Sequence, residues 1–259
     1  MGQYWVFVNI DKRQTSGFLG KLGEFFSTTT SHSLMYLLAI PAVPLRLEST
    51  SANPSTTREF AGAWAGDRIV CFGDYARSWP DGIDGDSLQT VTTSDEDYED
   101  SEGESESPQL LFMASCREYT YVDRGYKWEL SYPHDHNWAL RNITRKLYVR
   151  SDGIPTIDDK KNLTYYIQYG LRGFPGLGQV LLTNILWSDD DSTSMPFSDV
   201  QGSWAGDRLD IRLMDDVAEE LQEEGWKDIS RQEAIKLYNI LLQESEVEGD
   251  LPDEPAESL

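Results

Sequence analysis

Cysteine and histidine are scarce in this 259-residue chain, with two of the first and three of the second. Two cysteines, Cys71 and Cys116, exclude a disulfide framework and a Cys-rich zinc site. Cys71 lies in an apolar run, the usual setting of a small buried hydrophobe. Positive charge is thin as well: 22 Lys and Arg stand against 45 Asp and Glu, for a net charge of −23. Phosphate neutralisation supplies most nucleic-acid affinity, so a chain without a basic stripe is expected to bind no nucleic acid. An anionic membrane surface is an equally poor partner. No stretch approaches the ~18 apolar residues of a membrane span. The opening "MGQYWVFVNIDKR" has neither the basic start nor the long apolar run of a secretion signal. Gly2 suits myristoylation, but Val6 stands where that motif needs Ser or Thr. A cytosolic or nuclear location is expected, and the sequons at Asn142 and Asn162 carry little without secretion.

The motifs of common chemistry are missing too. There is no Gly-Lys-Ser/Thr phosphate loop, no Gly-x-Ser-x-Gly elbow and no Gly-x-Gly-x-x-Gly fingerprint. His134 and His136 suit one strand face, with Asp123 and Asp135 as companions, but no third ligand follows at metal-site spacing. Asp189 to Ser192 shares only charge with a calcium loop. No metal site, cofactor or catalytic residue is assigned.

What the chain does have is unevenly placed. Ser94 to Pro108 holds eight acidic residues and no base, and Gln243 to Leu259 holds seven more. Like-charge blocks repel and solvate, so both are expected to be disordered. They divide the chain into an N-terminal module (1–90), an acidic linker (91–108), a C-terminal module (109–244) and an acidic tail (245–259). Hydrophobic residues at 39% are enough to fill a core.

Along the first module, "YWVFVN" reads as a buried strand, and Phe18, Leu22, Phe25 and Phe26 take helical spacing. Ser31 suits the cap of a second helix carrying Leu34, Leu37 and Leu38. "RIVCFG" is a strand. In the second module, alternation at Tyr126, Trp128, Leu130 and Tyr132 marks a half-buried strand. "NWALRN", "KLYVR" and "LTYYIQYG" read as further strands, while "GLGQVLLTNILW" is helix or buried strand. Ser230 and Glu233 form a capping-box pattern ahead of a C-terminal helix.

One phrase is written twice. "GAWAGDR" at Gly62 and "GSWAGDR" at Gly202 each run into an apolar strand. Further matches pair Trp5 with Trp138, Asn9 with Asn142, Ile10 with Ile143, and "LGKLGEFF" with "LGQVLLTN". Similar order and spacing predict an α+β protein. It is built of two diverged tandem modules of mixed strands and short helices about a pseudo-twofold axis, with a C-terminal helix.

The stretches "YWVFVNIDKR", "WAGDRIVCFGDY", "NWALRNITRKLYVRSD" and "ILWSDDDSTSM" resemble a family of proteins from mushroom-forming fungi. Shorter bacterial proteins with one "VNLDK…WAGDRI…GDY" module are also similar. The resemblance implies an architecture and a fungal source; it implies no activity.

The phrase has two readings. As architecture, Trp fills the core, Asp caps a turn and Arg braces a loop. As a site, Trp64, Asp67, Arg68, Asp74, Tyr75, Trp204, Asp207 and Arg208 line a cleft between modules, and Arg grips an anion. The leading expectation is a non-catalytic binding or interaction protein whose partner is a small molecule or another protein. The alternative is a hydrolase or transferase acting on a small anionic or sugar-like substrate through Asp67, Arg68 and Asp74, with Tyr75 beside them. A third, lectin-like reading rests on eight Trp and thirteen Tyr. Ser94, Ser101 and Ser105 in the linker suit an acidophilic kinase.

Overall fold

A computed structural model describes residues 3–21, 34–35, 37–40, 62–83, 111–122, 137–154, 156–157, 163–164, 176–188 and 200–244. The expectations for the acidic linker and tail, for the Tyr126–Tyr132 alternation, for Ser31 and for His134 and His136 lie outside these residues.

The aromatic and β-branched run Tyr4–Asn9 forms β1, which pairs antiparallel with β2 (Gln14–Lys21) on one edge and β3 (Asp67–Gly73) on the other. In the second half β5 (Trp138–Asn142) lies likewise between β6 (Leu147–Arg150) and β10 (Arg208–Leu213). The halves join where β3 meets β10 antiparallel, through the pairs Arg68–Arg208 and Asp67–Leu209. Short strands complete a mixed nine-stranded sheet: β4 (Thr120–Tyr121) on β2, β11 (Lys227–Asp228) on β6, and β9 (Leu186–Trp187) on β3. A separate ribbon pairs β7 (Thr156–Ile157) with β8 (Leu163–Thr164), all that is described of the "LTYYIQYG" strand.

Helices cover both faces, so the central strands are buried on both sides and read as continuous apolar runs. One face carries Trp5, Phe7, Ile69 and Cys71 with Trp138, Leu140, Leu209 and Ile211. It packs against the helical residues Leu34, Leu37 and Leu38, α2 (Leu177–Ile185) and α4 (Ser230–Glu244). On the other face Val6, Val8, Val70 and Phe72 meet α1 (Leu111–Glu118). There Ala139 meets Val217 and Leu221 of α3 (Met214–Glu223). The class is α+β.

The third strand of each half is extended by a segment from the other half. β9 runs parallel to β3 through Cys71–Leu186 and Phe72–Trp187. Ala39 bridges in parallel to Ile211 on β10, and the Ile40 N–H donates to the Ile211 carbonyl. Each turn phrase is pinned in the same way. The Trp64 N–H donates to the Leu37 carbonyl and the Trp204 N–H to the Asn184 carbonyl, both at 2.7 Å.

Several sequence expectations change. Phe18 is in strand β2, opposite Val6, because the edge of β1 needs a partner and the turn at 10–13 delivers one. "LGKLGEFF" therefore does not match "LGQVLLTN" at Leu19; the residues with the contacts of α2 are Leu34, Leu37 and Leu38. "GLGQVLLTNILW" is helix α2 followed by strand β9. Ser230 and Glu233 do not make a capping box. The Ser230 hydroxyl donates to Asp228 and accepts the Arg150 N–H, while Glu233 accepts from Asn184 inside the core.

Candidate functional site

Each hairpin turn holds one phrase by the same set of bonds. Asn9 ends β1, and its Oδ1 accepts the Lys12 N–H, closing a side-chain turn. Its Nδ2 donates to Asp67 Oδ2 at 2.8 Å. Asn142 does the same for the Arg145 N–H and for Asp207 Oδ2, also at 2.8 Å. A cation from the turn completes each carboxylate: Lys12 Nζ lies 2.9 Å from Asp67, and Arg145 Nε lies 2.6 Å from Asp207. Lys12 also donates to the Ala63 carbonyl. Arg13 and Lys146, at matching turn positions, both take left-handed backbone with φ of 51° and 52°.

Trp64 and Trp204 are in the core, and Trp64 Nε1 donates to Gln14 Oε1 at 2.8 Å. Asp67 and Asp207 sit within the described chain as hydrogen-bond acceptors, and their side chains keep only 17% and 12% exposure. Arg68 and Arg208 point to the opposite face, where their side chains keep 36% and 47% exposure. Asp74 and Tyr75 are not with them. They follow the far end of β3, seven residues from Asp67, which at about 3.3 Å per residue is roughly 20 Å away. Sequence adjacency to the phrase had suggested one constellation; the extended strand between them separates it.

Arg68 and Arg208 meet at Asp11. The Arg68 backbone N–H and Nε donate to the two carboxylate oxygens at 3.0 and 2.7 Å, and Arg208 Nη1 donates at 2.9 Å. Arg208 Nη1 also reaches the Gly66 carbonyl at 3.0 Å. Partial burial pushes the Asp11 carboxyl up, but the Arg68 N–H, its guanidinium and the Arg208 charge outweigh it. The Asp11 pKa lies below the ordinary carboxylate range. In the second half Thr144 stands where Asp11 would be, and its Oγ1 accepts the Arg208 N–H at 2.9 Å. Neither Asp11 nor Thr144 was singled out from sequence. The signal was present in "NIDKR" against "NITRK" after the matched asparagines.

A second polar cluster lies under α3. Arg141 is buried and grips Asp210 through two bonds of 2.8 and 2.7 Å, with Glu220 at 2.7 Å and the Trp226 ring 5.0 Å beneath its charge. Burial lowers the Arg141 pKa, but Asp210 and Glu220 reverse that and raise it. The corresponding cross-strand pair in the first half is Val8–Val70. Elsewhere, burial pushes the Cys71 thiol well above its ordinary pKa, so it is a core atom and not a nucleophile. Among the described residues no group of three His, Cys, Asp or Glu is placed to hold a metal. None of the described helices is long and apolar enough to cross a membrane. Comparison with protein-family models, curated proteins and solved structures finds no match to the chain.

Proposed function

We propose that this is a non-catalytic binding protein, cytosolic or nuclear, whose two related halves frame a ligand site at the β3–β10 junction. One observation carries the reading. Both phrase carboxylates are engaged by an asparagine and a cation from the adjacent turn, while Arg68 and Arg208 remain half-exposed on the opposite face of the same strands. Carboxylates held this way are poor general bases or nucleophiles, because proton transfer needs a group free to reach the substrate. Arginines on the surface are still able to recognise a ligand. The matched bonds of the two halves also support descent of both from one duplicated module.

The hydrolase or transferase reading is weakened by the strand that separates Asp74 from Asp67 and Arg68. The lectin-like reading needs open aromatic faces; every described tryptophan is buried or partly buried, which leaves it the exposed Tyr4 and Tyr121, on strands β1 and β4. The net charge of −23 supports a partner other than nucleic acid. The test is a thermal-shift screen of the full chain against a metabolite library, with turnover of each hit followed by mass spectrometry. Saturable stabilisation without turnover is expected. Turnover abolished by Asp67→Asn would reject the non-catalytic reading.

A further inference from the structure

Arg68 and Arg208 are directly opposite each other on adjacent antiparallel strands. The Ile69 N–H donates to the Asp207 carbonyl, which places the arginines in the wider gap between ladder bonds. Opposed residues of that kind bring their side chains closest together, and like charges there repel. The fold answers with a single carboxylate. Asp11 bonds to Arg68 through its own turn, and Arg208 crosses the junction to share it. On the other side, where a second acid would mirror Asp11, the chain has Thr144, which accepts the Arg208 N–H but carries no charge.

The charges around the junction do not balance. Lys12 and Arg145 are matched by Asp67 and Asp207 on one face, while on the other, among the described residues, Arg68 and Arg208 share Asp11 alone, leaving one net positive charge there. Arg68 bonds Asp11 through Nε, and Arg208 bonds it through Nη1. Among the described residues the other N–H edges of both guanidiniums take no acid partner. Two half-exposed guanidiniums with donors to spare suit the planar, bidentate geometry of a carboxylate or phosphate.

We propose that Arg208 and Arg68, beside Thr144, bind a small oxyanion, the carboxylate or phosphate end of a small-molecule ligand. The ligand supplies the negative charge that the second half lacks at Thr144. This rests on the binding reading above and names the chemistry of its ligand.

The site makes an unusual prediction: one substitution should fill it from within. Thr144→Asp places a carboxylate where Asp11 stands in the first half, so it should raise stability in anion-free buffer and abolish anion binding. Inorganic phosphate is titrated into the full chain at low and at moderate ionic strength, read by calorimetry. The wild type should bind saturably and more weakly at higher salt, since exposed charges are screened within about 10 Å at 0.1 M. Arg208→Gln, at an exposed position, should weaken binding about tenfold, the equivalent of ~1.4 kcal/mol. Absence of saturable binding in the wild type, or binding that survives in both Thr144→Asp and Arg208→Gln, overturns the oxyanion site. If a library ligand binds but is unaffected by either change and phosphate does not bind, the oxyanion site fails while the binding reading stands; if neither phosphate nor any library compound binds, both fail.

Discussion

At the scale of single residues, the chemistry of the junction depends on which carboxylates are held and by what. Asp67 and Asp207 each join a turn to the central strands, so Asp67→Asn and Asp207→Asn should both lower stability, by about 1–3 kcal/mol for a charge-assisted bond lost in a partly buried place. Urea denaturation checks this, and an unchanged midpoint for both variants would mean the bonds are ornamental. Asp11 gives a pH dependence. Its folded-state pKa is depressed, so its contribution to stability is present above the unfolded value near 3.9 and is lost as pH falls through the folded pKa. Asp11→Asn should therefore cost about 1 kcal/mol at neutral pH and show a shallower loss of stability on acidification below about pH 4. The two cysteines differ as plainly. Cys116 is exposed and Cys71 is buried, so a maleimide should take one thiol in the native chain and the second only after unfolding.

At the scale of elements, the two halves solve the same packing problem with different residues. The cross-strand pair Val8–Val70 lies under α1, and Arg141–Asp210 occupies its counterpart under α3. Removing one partner of a buried ion pair strands the other, whereas replacing both with apolar residues restores packing. Asp210→Ala should cost about 3–5 kcal/mol, and the double change Arg141→Val with Asp210→Val far less. Equal losses in the single and double variants, by calorimetry, would show that Arg141 acts mainly through Glu220 and Trp226. The turn glycines also have element-level roles. A Cβ at Gly202 would collide with the Asn184 backbone carbonyl at the end of α2, while one at Gly66 meets nothing but needs φ of +83°. Both substitutions destabilise, the first by overpacking and the second by about 1–2 kcal/mol of backbone strain.

At the scale of the whole molecule, the exchange of short segments makes the halves mutually dependent. β9 belongs to the second half by sequence and lies on β3 of the first; Ala39 belongs to the first and lies on β10 of the second. One apolar cluster draws on both, from Trp5 and Leu37 to Leu209 and Leu237. A chain cut by a protease site placed in residues 91–108 should therefore stay together, with both fragments eluting at the intact size and unfolding in one transition. Separation of the fragments in native buffer would count against that interdependence.

Local pattern was enough for β1, β3, β5 and β6, because buried central strands announce themselves as continuous aromatic and β-branched runs. It was enough, too, to match Asn9 with Asn142 and the two tryptophan turns, since identical local bonds demand identical residues at identical spacing. It misread β2, whose helical spacing at Phe18 yields to pairing with β1, and it gave no warning of α1 or α3, whose faces follow from what they cover. What decided the candidate site was wholly tertiary. The strand pairing of β3 with β10 sets Arg68 against Arg208 across half the chain, and only that contact reveals that Asp11 serves two arginines while Thr144 serves none by charge. Sequence sets which side chains are available; the register of two strands far apart in the chain sets which charges must face each other.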